Sequence, residues 1–216
     1  MAEHTSADDR LKGPLSGVRV IEMGQLVAGP FVGSRMADFG AEVIKVESPG
    51  RGDAMRHWGH HRYKGRSLWW PILARNKKTV SANLREKRGQ DLVRRLIETA
   101  DVLVENFRPG VKKRLGIDYE TLSALNPGLV YCSVTGFGQD GPYASRAGFD
   151  FLIEGMSGNM DLTGDPAGEP QKIGVAFADI FTGLYGVIAV QAALAERDRT
   201  GEGKHVDMAL LDSMTG

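Results

Sequence analysis

The feature that most constrains the fold is a regular alternation of short apolar, β-branched runs with longer amphipathic segments. The apolar runs have the length and composition of strands, and they lie at 18–23, 41–47, 78–84, 101–107 and 128–134. The longest segment between them, 85–100, has helical spacing. Strands that are separated by helices pair in parallel through right-handed crossovers. The sequence therefore predicts an α/β fold of the Rossmann-like, doubly wound type, with a mostly parallel sheet.

The loop after the first strand is a natural place for a ligand, because ligands of such sheets bind beyond the carboxyl ends of the strands. This loop, GQLVAGP (24–30), contains glycines but lacks the GxGxxG spacing of dinucleotide-binding proteins. Glu47, at the end of the second strand, only weakly resembles the acidic residue that binds a ribose. An NAD or FAD site is therefore not predicted.

Two basic clusters are candidates for binding phosphate groups. The first, at 75–78, precedes the strand 78–84, and the second, formed by Asn106, Arg108 and Arg114, follows the strand 101–107. Each cluster by itself is typical of a solvated face. If both clusters lie at one edge of the sheet, they would form a two-point anion site without a P-loop.

Asp179 is the candidate for chemistry, because it interrupts an otherwise apolar run at 173–186 where a long buried helix is predicted to begin. One interpretation is an N-cap whose oxygens accept the free N–H groups of the first turn. The other is a nucleophile whose pKa the same donors lower, so that it stays ionised. The two interpretations are compatible. Glycines that would allow the close approach of a backbone or a ligand lie at 174, 183 and 186.

Composition narrows the function further. Basic and acidic residues are equal at 27 each, so there is no global basic field for binding nucleic acid. Cys132, the single cysteine, excludes an intrachain disulfide and CxxC metal sites, and its apolar surroundings favour a buried structural role. The histidines His57, His60 and His61 have no nearby carboxylate or cysteine at a familiar ligand spacing. No metal site is predicted, and a reducing, cytoplasmic location is expected.

Residues 1–13 are polar and acidic, and they predict a disordered leader without the apolar run of a signal peptide. No stretch is expected to match the roughly 20 apolar residues of a membrane span. We therefore expect a protein that works away from membranes.

Seven ordered segments carry a resemblance to a known family. They are PLSGVRVIEMGQLVAGP, GAEVIKVESPGRGD, RNKKTVSANL, DVLVENFRPGVKKRLG, LVYCSVTGFGQDGPY, GVAFADIFTGLYG and RTGEGKHVDMALLDS. Together they resemble the class III CoA-transferases, the CaiB/BaiF family that includes formyl-CoA transferase and carnitine CoA-transferase. The resemblance covers about residues 14–216.

The resemblance implies an acyl-CoA:carboxylate CoA-transferase in which Asp179 is the catalytic nucleophile and forms an aspartyl-CoA thioester. It also implies that Val27 and Ala28 approach CoA through their backbone, and that further polar residues surround its nucleotide part. These further residues are Asn106, Arg108 and Arg114, and Asn76 and Lys77 of the cluster at 75–78 are expected to help bind CoA. No tightly bound cofactor is implied, since coenzyme A and acyl-CoA are substrates. Asp53, Asp150 and Glu154 receive no role.

Two alternatives stay open. Some relatives are α-methylacyl-CoA racemases that pair the aspartate with a histidine, but this chain has Phe149 at the matching position. The other alternative is a truncated CoA-binding or dimerisation module without turnover. Residues 14–216 match the N-terminal part of the family's large CoA-binding domain, so the small second domain and the C-terminal return segment are expected to be absent. Relatives form interlocked homodimers, and a chain that ends at Gly216 is expected to be inactive or very weak alone.

Overall fold

The computed structural model describes residues 13–216, so the leader predicted at 1–13 lies, except for Gly13, outside the described residues. The strands are β1 Arg19–Glu22, β2 Glu42–Glu47, β3 Arg62–Tyr63, β4 Arg66–Ser67, β5 Lys77–Ser81, β6 Val102–Glu105, β7 Val130–Thr135 and β8 His205–Ala209. The helices are α1 Ala28–Asp38, α2 Trp69–Ala74, α3 Lys87–Ile97, α4 Val111–Leu115, α5 Tyr119–Leu125, α6 Asp150–Met156, α7 Phe177–Thr200 and α8 Leu210–Thr215, with a short 3₁₀ helix at Ala54–Arg56.

Six strands form one parallel sheet in the order β5-β2-β1-β6-β7-β8, and β3 with β4 forms a separate hairpin. Val20 of β1 pairs with Val43 on one side and with Val102 on the other. The strand order reverses between β1 and β6, which is the switch point of a doubly wound sheet. The predicted fold class is confirmed. Strand β8 was not predicted, because His205–Ala209 mixes polar and apolar residues at a sheet edge.

Alternate residues of each strand divide the core into two layers. Val20 and Val104 face the layer that contains α1 and α7, whereas Ile21 and Leu103 face the layer that contains α3 and α5. This division follows from the pleat, since successive side chains of a strand point to opposite faces. Cys132 is buried in the first layer, and burial raises the pKa of its thiol, which confirms the predicted structural role.

Helix α7 is the longest helix, and it packs on α1 at unusually short range. A Cβ atom at Gly183 would lie 2.9 Å from a ring carbon of Phe31, and one at Gly186 would lie 3.0 Å from a methyl of Val32. The predicted close approach at these two glycines is therefore confirmed. Its consequence is that the first turn of α7 lies beside the beginning of α1.

Helix α7 also corrects the expectation that no stretch of the chain matches the apolar length of a membrane span. Its 24 residues include a window of mean hydropathy 1.6, which is long and apolar enough to cross a membrane by those two criteria. Here the helix packs against α1, β7 and β8 as part of the core, and 44% of that window is buried. Buried core helices pass the same test, so this length and composition are weak evidence for a membrane span.

Candidate active site

A cleft of about 360 Å³ opens at the carboxyl ends of β1, β6 and β7, at the switch point of the sheet. Its walls come from the loops that follow these strands, from the start of α6 and from α7. The lining residues that bear on function are Gln25, Leu26, Val27, Ala28, Asn106, Arg108, Arg146, Phe149, Asp150 and Asp179. The predicted catalytic aspartate and four of the seven predicted CoA-binding residues thus share one cleft.

A buried group of charges lies behind the β1 side of the cleft. This group, which we call the β1 ion cluster, consists of Glu22, Lys45, Asp53 and Lys77. Lys45 Nζ lies 2.6 Å from Glu22 Oε1 and 2.8 Å from Asp53 Oδ2, and Lys77 Nζ contacts the second oxygen of Glu22 at 2.5 Å. Each buried carboxylate therefore has a buried ammonium partner.

The β1 ion cluster fixes the loop between β1 and α1. Lys45 Nζ donates a hydrogen bond of 2.7 Å to the carbonyl of Gly24, and Asp53 Oδ1 accepts the N–H of Leu26 at 3.1 Å. Leu26 has a φ of +64°, a left-handed conformation that is costly for a branched residue. The cluster therefore holds the backbone of the cleft wall in a shape that the loop would not adopt alone.

Asn106 joins the two loops that meet at the switch point. Its Oδ1 accepts the N–H of Gln25 at 2.8 Å, and its Nδ2 donates to the carbonyl of Gln25 at 2.8 Å. Both ends of the amide are thus bonded to protein backbone. Asn106 lines the cleft, and its side-chain hydrogen bonds hold the loop after β1 against the loop after β6.

The other predicted CoA-binding residues fall into two groups. Val27, Ala28 and Arg108 line the cleft, with Val27 and Ala28 at the start of α1. Arg114 lies on α4, is exposed and is not among the lining residues.

Asn76 and Lys77 lie elsewhere, at the amino end of β5. Asn76 donates to Asp38 at 3.0 Å, and the ammonium of Lys77 is buried in the β1 ion cluster. The basic cluster at 75–78 precedes a strand whereas Asn106 and Arg108 follow one, so in a parallel sheet the two clusters lie at opposite ends. The expectation of one two-point anion site is therefore wrong.

Asp179 lies in the first turn of α7 but does not cap it. The N-cap is Ala176, which makes no side-chain hydrogen bond, and Asp179 is the third helical residue. The capping oxygen comes instead from α6, since Asp150 Oδ1 accepts the N–H of Asp179 at 3.1 Å. The N-cap interpretation of Asp179 is wrong because the N-cap position, Ala176, lies three residues before Asp179.

The protonation of Asp179 also differs from the expectation. Burial, and then the negative charge of Asp150, raise the pKa of Asp179 to about 7, while Lys172 acts in the opposite direction. The helix N-terminus does not lower it below the ordinary range as predicted, because the side chain leaves water beside another carboxylate. Within the described part of the chain, no donor forms a hydrogen bond to the Asp179 carboxylate, so its oxygens face the cleft unengaged.

Sequence reasoning assigned no role to Asp150 and Glu154. Asp150 and Lys172 act on Asp179, and Glu154 joins the group through its contact with Lys172. We call Asp150, Glu154, Lys172 and Asp179 the acid cluster. Glu154 is fully buried, and its Oε2 accepts the N–H of Ile173 at 3.0 Å. Lys172 Nζ lies 3.4 Å from both Asp150 Oδ2 and Glu154 Oε1. The four-residue spacing of Asp150 and Glu154 on one helix face was the available signal in the sequence.

Residues 13–216 hold no group of three or more histidine, cysteine or acidic side chains placed to bind a metal ion. The segment between the 3₁₀ helix and β3 carries three exposed histidines, His57, His60 and His61. Within the same described residues, no histidine lines the cleft, and exposed Phe149 occupies the position where the racemase resemblance would require one. The histidine that a racemase would use as its second acid/base group is thus missing from this part of the chain.

Comparison with known proteins gives one family. The sequence matches the model of CoA-transferase family III over residues 15–216. It is 53% identical over 207 residues to the succinate–glutarate CoA-transferase of Agrobacterium fabrum, covering 93% of this chain and 52% of that protein. It is 50% identical over 201 residues to the succinyl-CoA–D-citramalate CoA-transferase of Chloroflexus aurantiacus, covering 93% of this chain and 50% of that protein.

Among solved structures, a CaiB/BaiF family protein from Brucella suis superposes with a TM-score of 0.91 at 55% identity. The superposition covers 95% of this chain and 55% of that one. The chain therefore spans about half the length of the relatives it matches.

Proposed function

The chain belongs to CoA-transferase family III, and from this premise we propose that it carries the nucleophile and part of the CoA site of an acyl-CoA:carboxylate CoA-transferase. Asp179 is the proposed nucleophile. The observation that carries the proposal is its place: a carboxylate with unengaged oxygens, in the first turn of a helix, facing the cleft at the switch point.

In the proposed reaction, the Asp179 carboxylate attacks the thioester carbonyl of the donor acyl-CoA. The C–S bond breaks, CoA leaves as a thiolate, and Asp179 is left in a mixed anhydride with the acyl group. The thiolate then attacks the Asp179 carbonyl, which releases the donor acid as a carboxylate and forms the aspartyl-CoA thioester. The acceptor carboxylate reverses these steps, so the energy of the thioester is kept and no net proton is consumed.

The chain's own residues support these steps in three ways. Burial strips water from Asp179 and makes it more basic, which increases its nucleophilicity once it is ionised. Val27 and Ala28, at the start of α1, line the cleft, so the free N–H groups of this helix end are proposed to approach the thioester. Arg108, which also lines the cleft, supplies a cation for the phosphates of CoA.

The substrate class we propose is a short dicarboxylic acid, such as succinate, as donor or acceptor. The relatives at 50% identity or more are named for succinate, glutarate and citramalate, which all carry at least two carboxyl groups. The distal carboxylate of such an acid needs a cation in the cleft. Among the described lining residues, Arg108 and Arg146 are the cations, and Arg146 lies in the loop that leads to Asp150.

The remaining features of the proposed protein follow from the family resemblance. We propose that residues 14–216 form the N-terminal part of the large CoA-binding domain, that the active protein is a homodimer, and that it is cytoplasmic. The exposed apolar residues Leu184, Tyr185 and Ile188 on α7 suit such a packed assembly.

The test is intact-protein mass spectrometry after mixing the chain with succinyl-CoA and then with hydroxylamine or borohydride. We expect a hydroxamate or a reduced adduct on Asp179, and none in the matched variant Asp179→Asn. An adduct at another carboxylate would contradict the assignment of the nucleophile. CoA binding without any adduct would favour a binding module without turnover, and the loss of both would overturn the proposed function for this chain.

A further inference from the structure

The acid cluster has an unusual charge balance for a partly buried group. It holds three carboxyl groups, on Asp150, Glu154 and Asp179, against the single ammonium of Lys172. Asp150 Oδ2 is buried and accepts no hydrogen bond, although Lys172 lies 3.4 Å from it. A buried polar atom without a hydrogen bond is costly, so the retention of this weakly compensated oxygen beside the proposed nucleophile calls for an explanation.

We propose that Asp150 is a positioning residue for Asp179, because it fixes the first turn of α7. Its negative charge also repels the Asp179 anion, so forming the covalent intermediate relieves this repulsion. This inference rests on the proposed function. Asp179 is an anion before attack, whereas in the anhydride and in the aspartyl-CoA thioester it is a neutral acyl group. The negative charge leaves on the released donor acid, so the like-charge contact with Asp150 disappears as the intermediate forms.

The positioning part of the proposal follows from one hydrogen bond. Asp150 Oδ1 accepts the N–H of Asp179, a donor in the first turn of α7 that has no partner within the helix. Because Ala176 cannot cap, this contact between α6 and α7 orients the residue that carries the nucleophile. Glu154 and Lys172 brace the same junction through Ile173 N–H and the carbonyls of Ile173 and Val175.

The electrostatic part depends on every charge that faces Asp179. Asp150 and Glu154 come from α6, Lys172 from the segment before α7, Arg108 from the loop after β6 and Arg146 from the loop before α6. The first two turns of α1 and the cleft-facing residue of α8, Leu210, contribute no charge. Burial and then Asp150 raise the pKa of Asp179, and Lys172 opposes this. The charge that acts most strongly on Asp179 is therefore of the wrong sign for an ionised nucleophile.

The experiment is a carbon-13 NMR titration of the aspartate carboxyl groups in the wild-type chain and in Asp150→Asn, with Asp179 assigned from Asp179→Asn. Asparagine keeps the oxygen that accepts the Asp179 N–H but removes the charge. We expect the pKa of Asp179 to fall by about one unit or more in Asp150→Asn. An unchanged titration of Asp179 would overturn the proposal.

Two further variants guard the result. Lys172→Met, at an exposed position, removes the opposing charge and should raise the pKa of Asp179; a fall or no change would contradict the proposed field. Asp150→Ala removes the acceptor oxygen as well, so the Asp179 amide should exchange with solvent at least about tenfold faster than in Asp150→Asn. Equal exchange in the two variants would overturn the positioning role.

The titration also separates this inference from the proposed function. With succinyl-CoA, the ratio of aspartyl-CoA adduct to free Asp179 should fall about tenfold for each unit by which Asp150→Asn lowers the pKa. If the pKa shifts as expected but neither protein forms an adduct, the proposed function fails while the action of Asp150 on Asp179 stands. If adducts form in equal ratio in both proteins, the relief of repulsion is refuted although the function holds.

Discussion

The β1 ion cluster and the acid cluster lie on two sides of the same cleft, but their charges are balanced differently. In the β1 ion cluster, two carboxylates face two ammonium groups, and the pairs are 2.5–2.8 Å apart. In the acid cluster, three carboxyl groups share one ammonium whose two contacts are both 3.4 Å. The first cluster is electrically neutral, and the second carries excess negative charge when all its groups are ionised.

This difference separates a structural task from a chemical one. Burial by itself lowers the pKa of Lys45, but Glu22 and Asp53 more than offset this and raise it above its ordinary value. Burial lowers the pKa of Lys77, and Glu22 offsets this only in part. Lys45 is thus held charged, and the cluster can fix the loop at Gly24 and Leu26. In the acid cluster, burial and then the negative charge of Asp150 raise the pKa of Asp179 to about 7, a value that suits the proposed nucleophile.

The largest loss of stability is expected for Lys45→Met. This substitution leaves the buried carboxylates of Glu22 and Asp53 without their shared partner and frees the carbonyl of Gly24. Removing one partner of a buried pair typically costs about 3–5 kcal/mol of unfolding free energy. Urea unfolding measures the loss, and a cost under about 1 kcal/mol would show that the cluster is not the brace of the β1 loop.

The opposite sign is expected for Asp179→Asn, which removes a charge that the acid cluster does not compensate. The pKa of Asp179 is raised from 3.8 to about 7, so between these values the folded state binds more protons than the unfolded chain. The contribution of Asp179 to stability therefore falls as the pH rises through this window and stays low above it. We expect Asp179→Asn to be more stable than wild type by about 2–4 kcal/mol above pH 7.

The measurement for Asp179→Asn is urea unfolding of both proteins at about pH 4 and about pH 8, where the difference between them should be small and large respectively. A difference that does not depend on pH would show that Asp179 is not the uncompensated charge.

The smallest effect is expected for Lys78→Met, which serves as the control for Lys45→Met with the same change of side chain. Lys78 pairs with Glu42 at 2.6 Å, but its side chain is 73% exposed. Exposed pairs contribute about 0–1 kcal/mol, and the amino end of β5 is remote from the cleft. Unfolding free energy should change by less than about 1 kcal/mol, and the Kd for CoA, measured by calorimetry, should not change. Weaker CoA binding by Lys78→Met would instead support the prediction that residues 75–78 bind the phosphates of CoA.

Much of the candidate site could be predicted from the sequence, because the residues that build it follow strands. Val27, Ala28 and Arg108 reach the cleft through the ends of β1 and β6, which the strand pattern located. The prediction that Lys77 binds phosphate did not account for Glu22, which lies 55 residues away in sequence and pairs with the Lys77 ammonium. Asp150 was missed for the same reason, since its contact with Asp179 joins residues 29 apart.

The parallel α/β fold, the family and the place of Asp179 at the beginning of the long helix follow from the amino-acid sequence alone. Periodicity and local composition are sufficient for these, because they depend on neighbours along the chain. Contacts between distant parts of the chain set the rest: Asp150 caps α7, Glu22 neutralises Lys77, and the pKa of Asp179 is raised to about 7 rather than lowered. Burial and charge act through space at a few ångströms, and folding alone sets those distances.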